Sequence, residues 1–171
     1  MVRTYVLGFI ASLLIIILAF LFQDKLHTFK NLGILGIFLI NFFGSATIFF
    51  PTPAIASVVA GGVLYQPFIV GVVSALGASL GEMVGFFLGF TGKKFFIKNH
   101  NKLYGIFKDV FRKYGGIAIF VFAFIPNPFF DALGLIAGAF SYSPIRFFVW
   151  LFAGKLLRNI LLAYLGHFLP F

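Results

Sequence analysis

Apolar runs, interrupted by prolines and by one basic stretch, make up most of the chain. The first run extends from Tyr5 to Phe22 and, at about 18 residues, is long enough for a transmembrane helix. The sequence FQDKLHTF that follows has no small-residue cleavage site, so we interpret the run as an uncleaved helix rather than a secretion signal. We therefore predict a transmembrane helix and an external loop over residues 1–32.

A second apolar run extends from residue 33 to residue 50 and ends abruptly at Pro51 and Pro53. Two prolines so close together remove two backbone donors and disfavour helix in the residues before them. The apolar segment 54–64 that follows would be roughly 16 Å long as a helix, too short to cross a hydrocarbon core of about 30 Å. Broken backbone at membrane depth must be buried in protein or face water. We therefore predict a re-entrant hairpin over 33–65 with its tip inside the molecule.

The rest of the chain repeats this pattern. Pro67 opens another long apolar run, in the first-turn position that proline tolerates. A basic amphipathic stretch then precedes a second hairpin, whose tip carries Pro126 and Pro128, and a last long helix that starts at Pro144. The predicted segments are a transmembrane helix over 67–90, a cytoplasmic amphipathic segment over 93–114, a second hairpin over 115–142 and a transmembrane helix over 144–169.

The two units of hairpin plus helix are copies of each other. Matching residues lie 77 positions apart: Gly61 and Gly138, Tyr65 and Tyr142, Pro67 and Pro144, Gly77 and Gly154, Gly89 and Gly166. The basic stretch between the copies is cytoplasmic by the positive-inside rule. Counting crossings from it places the N-terminus in the cytoplasm, one hairpin dipping from outside and the other from inside. Such an inverted repeat of broken helices is typical of transporters.

Composition supports a membrane protein and argues against several other classes. Hydrophobic residues make up 61% of the 171 residues and charged residues only 10%, which is too apolar for a soluble domain. We predict an all-α, multi-pass integral protein of the plasma (cytoplasmic) membrane. The net charge of +9 comes largely from residues 93–113, which we interpret as a surface for anionic lipid headgroups and not for nucleic acid. The chain has no cysteine and no histidine–acid cluster at metal-ligand spacing, so no metal or cofactor is expected.

A few ionisable side chains lie inside the apolar segments, where charges are costly and usually functional. By helix geometry Glu82 lies roughly 12 to 15 Å, and Lys155 about 16 Å, from the cytoplasmic ends of their helices. Asp131, just beyond the second hairpin tip, lies at a comparable depth. Arg158 and Asn159 follow Lys155 by three and four residues and share its helical face.

These side chains have two interpretations. In the first, they line a polar cavity between the hairpins, where the cations receive a phosphate and a carboxylate takes up a proton. In the second, Asp131 with Lys155 and Glu82 with Arg158 are neutralising pairs that hold helices together. We favour the cavity, because buried ion pairs contribute little net stability. Asn127, at the second tip, either caps the broken helix or touches cargo. No hydrolase motif is present and no serine has an obvious base partner, so an enzyme is not predicted.

The order and spacing of these features resemble the DedA superfamily, whose shared region is the VTT or SNARE-associated Golgi protein domain. The resemblance is carried by AGGVLYQPFIVGVVSALGASLGEMVGFFLGFTGKK, by FIPNPFFDALGLIAGAFSYSPIRFFVWLFAGKLL and by the basic segment between them, over roughly residues 33–168. Glu82 matches the acidic position that follows the family's first hairpin. Ala123 and Phe129 stand where bacterial members carry arginines, which marks this chain as a divergent small member.

The resemblance implies movement of lipids across a membrane. Bacterial members are associated with transport of undecaprenyl phosphate or phosphatidylethanolamine, and eukaryotic relatives with phospholipid scrambling. The expected function is a flippase or scramblase for a phosphate-bearing lipid such as a phospholipid or polyprenyl phosphate. Two alternatives remain: an ion-coupled small-solute transporter or channel that uses the same cavity, and a non-transporting membrane scaffold or assembly factor. The expected partners are membrane lipids, and both protons and a homo-oligomer are compatible with the pattern.

Overall fold

The computed structural model describes residues 32–46, 52–92, 101–125 and 133–168. For residues 52, 53 and 101–112 it describes the backbone alone. Helices account for 91% of these residues, and this part of the chain contains no strand, which confirms the all-α class there. In chain order the helices are α1 (Ile34–Ala46), α2 (Thr52–Leu64), α3 (Pro67–Thr91), α4 (Asn101–Phe124), α5 (Leu133–Ala139) and α6 (Pro144–Phe168).

Some of the predicted features lie outside the described residues. They are the first transmembrane helix, the hairpin-tip residues Pro51, Pro126 and Pro128, and the candidate site residues Asn127 and Asp131. Pro53 falls in the first turn of α2, where proline costs the helix no internal hydrogen bond. The re-entrant hairpins, as complete units, stay a prediction.

Two long helices, α3 and α6, dominate the fold. Each has 25 residues, starts with a proline and is long and apolar enough to cross a membrane. The most apolar window of α6 is only 28% buried, against 61% for α3, so α6 leaves the larger apolar surface uncovered by the rest of the fold. Both the starts and the ends of these helices lie 77 positions apart, which is the offset of the repeated sequence.

The shorter helices pack on the long helices in a crossed arrangement. Helix α1 lies along α3 and the second part of α4 lies along α6, whereas α2 packs on α6 and α5 packs on α3. Glycines allow the last two contacts to be close. Gly62 lies against the carbonyl oxygen of Ala163, and Gly138 against that of Phe86, with no room for a β-carbon at either glycine. Each short helix that follows a predicted tip therefore contacts the long helix of the other copy.

Two glycines with positive φ mark corresponding places in the two copies. Gly33, at the start of α1, has φ 59°, and Gly115, inside α4, has φ 52° and interrupts that helix. A β-carbon at Gly33 would lie 3.1 Å from the Tyr65 hydroxyl, and one at Gly115 would lie 3.9 Å from the Tyr142 hydroxyl. Because Tyr65 and Tyr142 are a matched pair of the repeat, the structure adds these glycines as a further corresponding pair, 82 positions apart instead of 77.

Candidate functional site

A buried ion pair joins the middle of α3 to the middle of α6. The ammonium nitrogen of Lys155 lies 2.6 Å from Oε2 of Glu82, and each side chain is 3% exposed. Lys155 also donates a hydrogen bond to the carbonyl oxygen of Ala78 at 3.2 Å and reaches Oγ of Ser45, on α1, at 3.5 Å. One lysine thus connects three helices near the middle of α3 and α6.

The ion pair lies where α3 and α6 cross in antiparallel directions. Towards the start of α3, Gly71 contacts Ile160; further along, Ala78 contacts Lys155; beyond it, Phe86 stacks on Phe147. The residue numbers rise on α3 as they fall on α6, so the helices run in opposite senses. Ala78 and Lys155 are 77 positions apart and therefore occupy matching places in the two copies. The crossing point is thus built from the same position of each copy.

A row of polar groups lies one turn along the helices from the ion pair. Nε of Arg158 donates to Oδ1 of Asn159 at 3.1 Å, and Nδ2 of Asn159 donates to Oγ of Ser74 at 3.0 Å. Oγ of Ser74 donates in turn to the carbonyl oxygen of Gly71 at 3.2 Å. Asn159 and Ser74 are fully buried, whereas Arg158 is half-buried. The row therefore leads from a guanidinium group near the surface to the interior, one turn of α6 from Lys155.

Apolar side chains close the opposite side of the ion pair. The rings of Phe86 and Phe147 stack with their centres 4.9 Å apart, and Leu151 packs in the same cluster. All three side chains are completely buried. The charges thus lie between an apolar cluster and a polar row, in surroundings where electrostatic attraction is strong and the cost of desolvating each charge is high.

A second buried polar contact connects α1 to α2. Nδ2 of Asn41 donates to the carbonyl oxygen of Ile37 at 2.8 Å and to Oγ of Ser57 at 3.0 Å. Oγ of Ser57 donates to the carbonyl oxygen of Ala54 at 2.7 Å. This contact holds together the two helices that flank the first predicted tip, so we assign it to helix packing rather than to the site.

The comparisons with known proteins bear on this arrangement of spanning helices and buried charges. A family model described as VTT domain matches residues 50–168, which is most of the chain. The chain belongs to the VTT domain family. The resemblance to the DedA superfamily is therefore confirmed. Members of this family are commonly membrane proteins of the DedA type and are thought to be transporters or flippases. Searches of curated proteins and of solved structures give no match.

In this VTT protein, four of the six predicted pathway residues lie together. They are Glu82, Lys155, Arg158 and Asn159, and we call this group the charged chamber. Lys155 pairs with Glu82, a contact that the sequence did not suggest. The two pairs drawn from the sequence, Glu82 with Arg158 and Lys155 with Asp131, stay predictions. The rotation and crossing of the two helices decide which of their residues meet, and spacing along each helix does not specify that. Asn127 and Asp131 lie outside the described residues, and their roles stay predictions.

Sequence reasoning missed several residues of α3 that contact the charged chamber or lie beside it. Ser74, Ala78 and Glu82 are spaced by four and lie on one face of α3. That spacing, together with the offset of 77 between Ala78 and Lys155, could have identified the α3 face that meets Lys155. Ser79, three residues before Glu82, has a buried hydroxyl that finds no hydrogen-bond partner within the described part of the chain. Within the same ranges no group of three or more histidine or acidic side chains could hold a metal ion.

Proposed function

We propose that this VTT protein moves a phosphate-bearing lipid, such as a phospholipid or polyprenyl phosphate, between the leaflets of a membrane. The observation that carries the proposal is the buried ion pair of Lys155 and Glu82 at the crossing of two helices long enough to span a bilayer. The headgroup passes through the charged chamber while the acyl chains stay in the bilayer. No enzyme activity is proposed.

The chemistry of the chamber suits a phosphate. Lys155 supplies a compact ammonium group, and Arg158 supplies a planar guanidinium group that can bind two phosphate oxygens at once. Glu82 places a carboxylate oxygen on Lys155 in this structure. Because phosphate and carboxylate oxygens accept the same hydrogen bonds, a lipid headgroup can take over that place on Lys155. The polar row from the half-buried Arg158 through Asn159 to Ser74 lies one turn of α6 from Lys155 and adds polar groups beside the ammonium group's helix face.

A purely structural role explains the ion pair less well. Replacing a buried ion pair by apolar side chains of similar volume is often neutral or stabilising. Ionisable groups inside a membrane generally mark the path of a substrate, an ion or a proton. A chain under no requirement except packing could fill the crossing of α3 and α6 with apolar residues, as it does at Phe86 and Phe147.

The packing of the helices supports the inverted topology that the proposal needs. Helices α3 and α6, which are matching elements of the two copies, run antiparallel, and each copy's short helix packs on the other copy's long helix. Under the proposal the two proline tips enter from opposite faces of the plasma membrane and meet near the chamber. The N-terminus and the basic segment 93–113 face the cytoplasm.

Lipid flipping in liposomes tests the proposal. The purified protein is reconstituted with a labelled phospholipid or a labelled polyprenyl phosphate, and the rate at which the label changes leaflet is measured. Arg158→Gln removes the half-buried cation and is expected to slow flipping about tenfold or more, the effect of losing a charge-assisted hydrogen bond. Arg158→Lys, which keeps the charge, is expected to retain part of the rate.

The control is Ser57→Ala, which removes a hydrogen bond between α1 and α2 away from the chamber and is expected to leave the rate unchanged. Three results would contradict the proposal. Ion flux without lipid flipping would identify a channel or ion-coupled transporter. Neither activity in a folded, reconstituted protein would favour a scaffold or assembly factor. Equal loss of flipping in the Arg158 and Ser57 variants would show that the charged chamber is not part of the lipid pathway.

A further inference from the structure

The break in α4 at Gly115 lies beside the start of α6. Gly115 leaves helical geometry with φ 52° and ψ −123°, and the Tyr142 hydroxyl lies near it. The indole ring of Trp150 lies directly against Gly116, where a β-carbon would overlap it. We call this place the elbow. It joins the basic part of α4 to the part that packs along α6.

Basic side chains emerge on both sides of the elbow. Beyond Gly115, Gly116 contacts Trp150 and, one turn later, Phe120 contacts Gly154. Because the residue numbers rise together on both helices, this part of α4 runs parallel to α6. Arg146 is one turn of α6 before Trp150, on the side of that ring towards the start of the helix, and it is exposed.

The second cation comes from α4. Lys113, two residues before Gly115, is also exposed, and its ammonium group lies 5.1 Å from the centre of the Tyr114 ring. The sequence KDVFRKY that ends at Tyr114 carries three basic residues and one acid. The elbow thus combines two exposed cations from different helices with a surrounding excess of positive charge.

The side chains at the elbow change in the order of the parts of a phospholipid. Tyr114 and Trp150 are 51% and 39% exposed, and amphipathic rings of this kind favour the level of the headgroups in a membrane. Further along the two helices apolar side chains are exposed, with Ile117 59% exposed on α4 and Leu157 44% exposed on α6. Cations, aromatic rings and aliphatic side chains therefore follow one another as a phosphate, a glycerol region and acyl chains do.

The matching place in the first copy repeats the backbone contact, but its long helix has apolar residues where α6 has Arg146 and Trp150. Gly33 and Tyr65 repeat the contact of Gly115 and Tyr142. Seventy-seven positions before Arg146 stands Ile69, which is 40% exposed, and the same distance before Trp150 stands Val73. The two copies thus differ in the long helix beside the glycine, where only the second copy has an arginine and an indole ring.

We propose that the Gly115 elbow binds an anionic phospholipid of the leaflet that faces the basic segment, with its phosphate held by Lys113 and Arg146. The bound lipid stays in that leaflet, fixes the angle between the two parts of α4 and does not pass through the charged chamber. The proposal is independent of lipid transport and holds whether or not the protein flips lipids.

Native mass spectrometry of the full-length protein in detergent tests the elbow, with phosphatidylglycerol as the anionic probe and phosphatidylcholine as the zwitterionic one. We expect the wild-type protein to retain phosphatidylglycerol preferentially. Arg146→Gln and Lys113→Gln should each weaken retention of phosphatidylglycerol about fivefold, the effect of one basic residue at a lipid surface. Retention of phosphatidylcholine should not change.

Two further variants make the result specific. Ile69→Gln changes the matched position of the first copy and should leave phosphatidylglycerol retention unchanged. Arg146→Lys keeps the charge that Arg146→Gln removes, so it should retain phosphatidylglycerol as the wild-type protein does. Equal retention of the two lipids by the wild-type protein would overturn the proposal. So would an equal loss in the Arg146→Gln and Ile69→Gln variants, because that result would reflect damage to the fold rather than loss of a headgroup site.

Discussion

Lys155 donates a hydrogen bond at 3.2 Å to the backbone carbonyl of Ala78, the residue that fills the matching place in the first copy of the repeat. A residue that contacts its own counterpart lies where the two copies meet. At this place the second copy has a long cationic side chain and the first copy has a methyl group, so the lysine can extend across the contact to Glu82. The chamber is therefore asymmetric in charge, although the helices that form it correspond to each other.

The stability of the ion pair is expected to depend on both partners together. Lys155→Met takes the cation away from a buried carboxylate and should lower the free energy of unfolding by about 3 to 5 kcal/mol. The double variant Lys155→Met with Glu82→Leu removes both charges and should recover most of that loss, since apolar replacements of buried pairs are often neutral. Thermal unfolding in detergent, followed by the fluorescence of Trp150, the single tryptophan, measures both effects. A double variant as unstable as the single one would contradict this account.

The crossed packing of short helices on long helices can be tested with two glycines. A β-carbon at Gly62 would overlap the carbonyl oxygen of Ala163, whereas one at Gly85 would meet nothing closer than the Leu135 nitrogen at 3.8 Å. Gly62→Ala should therefore destabilise the protein by about 1 to 3 kcal/mol through overpacking. Gly85→Ala should be neutral, or stabilising by up to about 1 kcal/mol through helix propensity. The same unfolding assay measures the stability of both variants. Equal effects of the two substitutions would show that α2 does not pack closely on α6.

The orientation in the membrane is open to labelling, because the native chain has no cysteine. Single cysteines at positions 28, 100 and 169 should react with a membrane-impermeant reagent from opposite sides. Position 100 should be labelled only from the cytoplasmic side, and positions 28 and 169 only from outside. Labelling of positions 100 and 169 from the same side would be incompatible with two inverted copies.

The long helices and the depth of the charges could be predicted from the sequence for definite physical reasons. Proline fits the first turn of a helix, so Pro67 and Pro144 indicate where α3 and α6 begin, and the structure starts both helices there. The rise per residue then places Glu82 and Lys155 at a common depth, and helical periodicity puts Arg158 and Asn159 on the face of Lys155.

The pairing of side chains could not be predicted in the same way. Which side chain of α3 meets Lys155 depends on the rotation and crossing of two helices that lie far apart in the sequence. Periodicity gives the face of each helix but not how the two faces meet. The contact of Ser74 with Asn159 and that of Gly115 with Tyr142 are further cases, since each depends on packing between distant segments.

Under the proposed function, the charges at the crossing of α3 and α6 serve lipid movement rather than stability. The most direct test measures flipping of a labelled phosphate-bearing lipid by the double variant Lys155→Met with Glu82→Leu, reconstituted at the same protein density as the wild-type protein. We expect this variant to unfold at a temperature close to that of the wild-type protein and to have lost flipping. A double variant that is folded and flips the lipid at the wild-type rate would show that the ion pair is not part of the pathway.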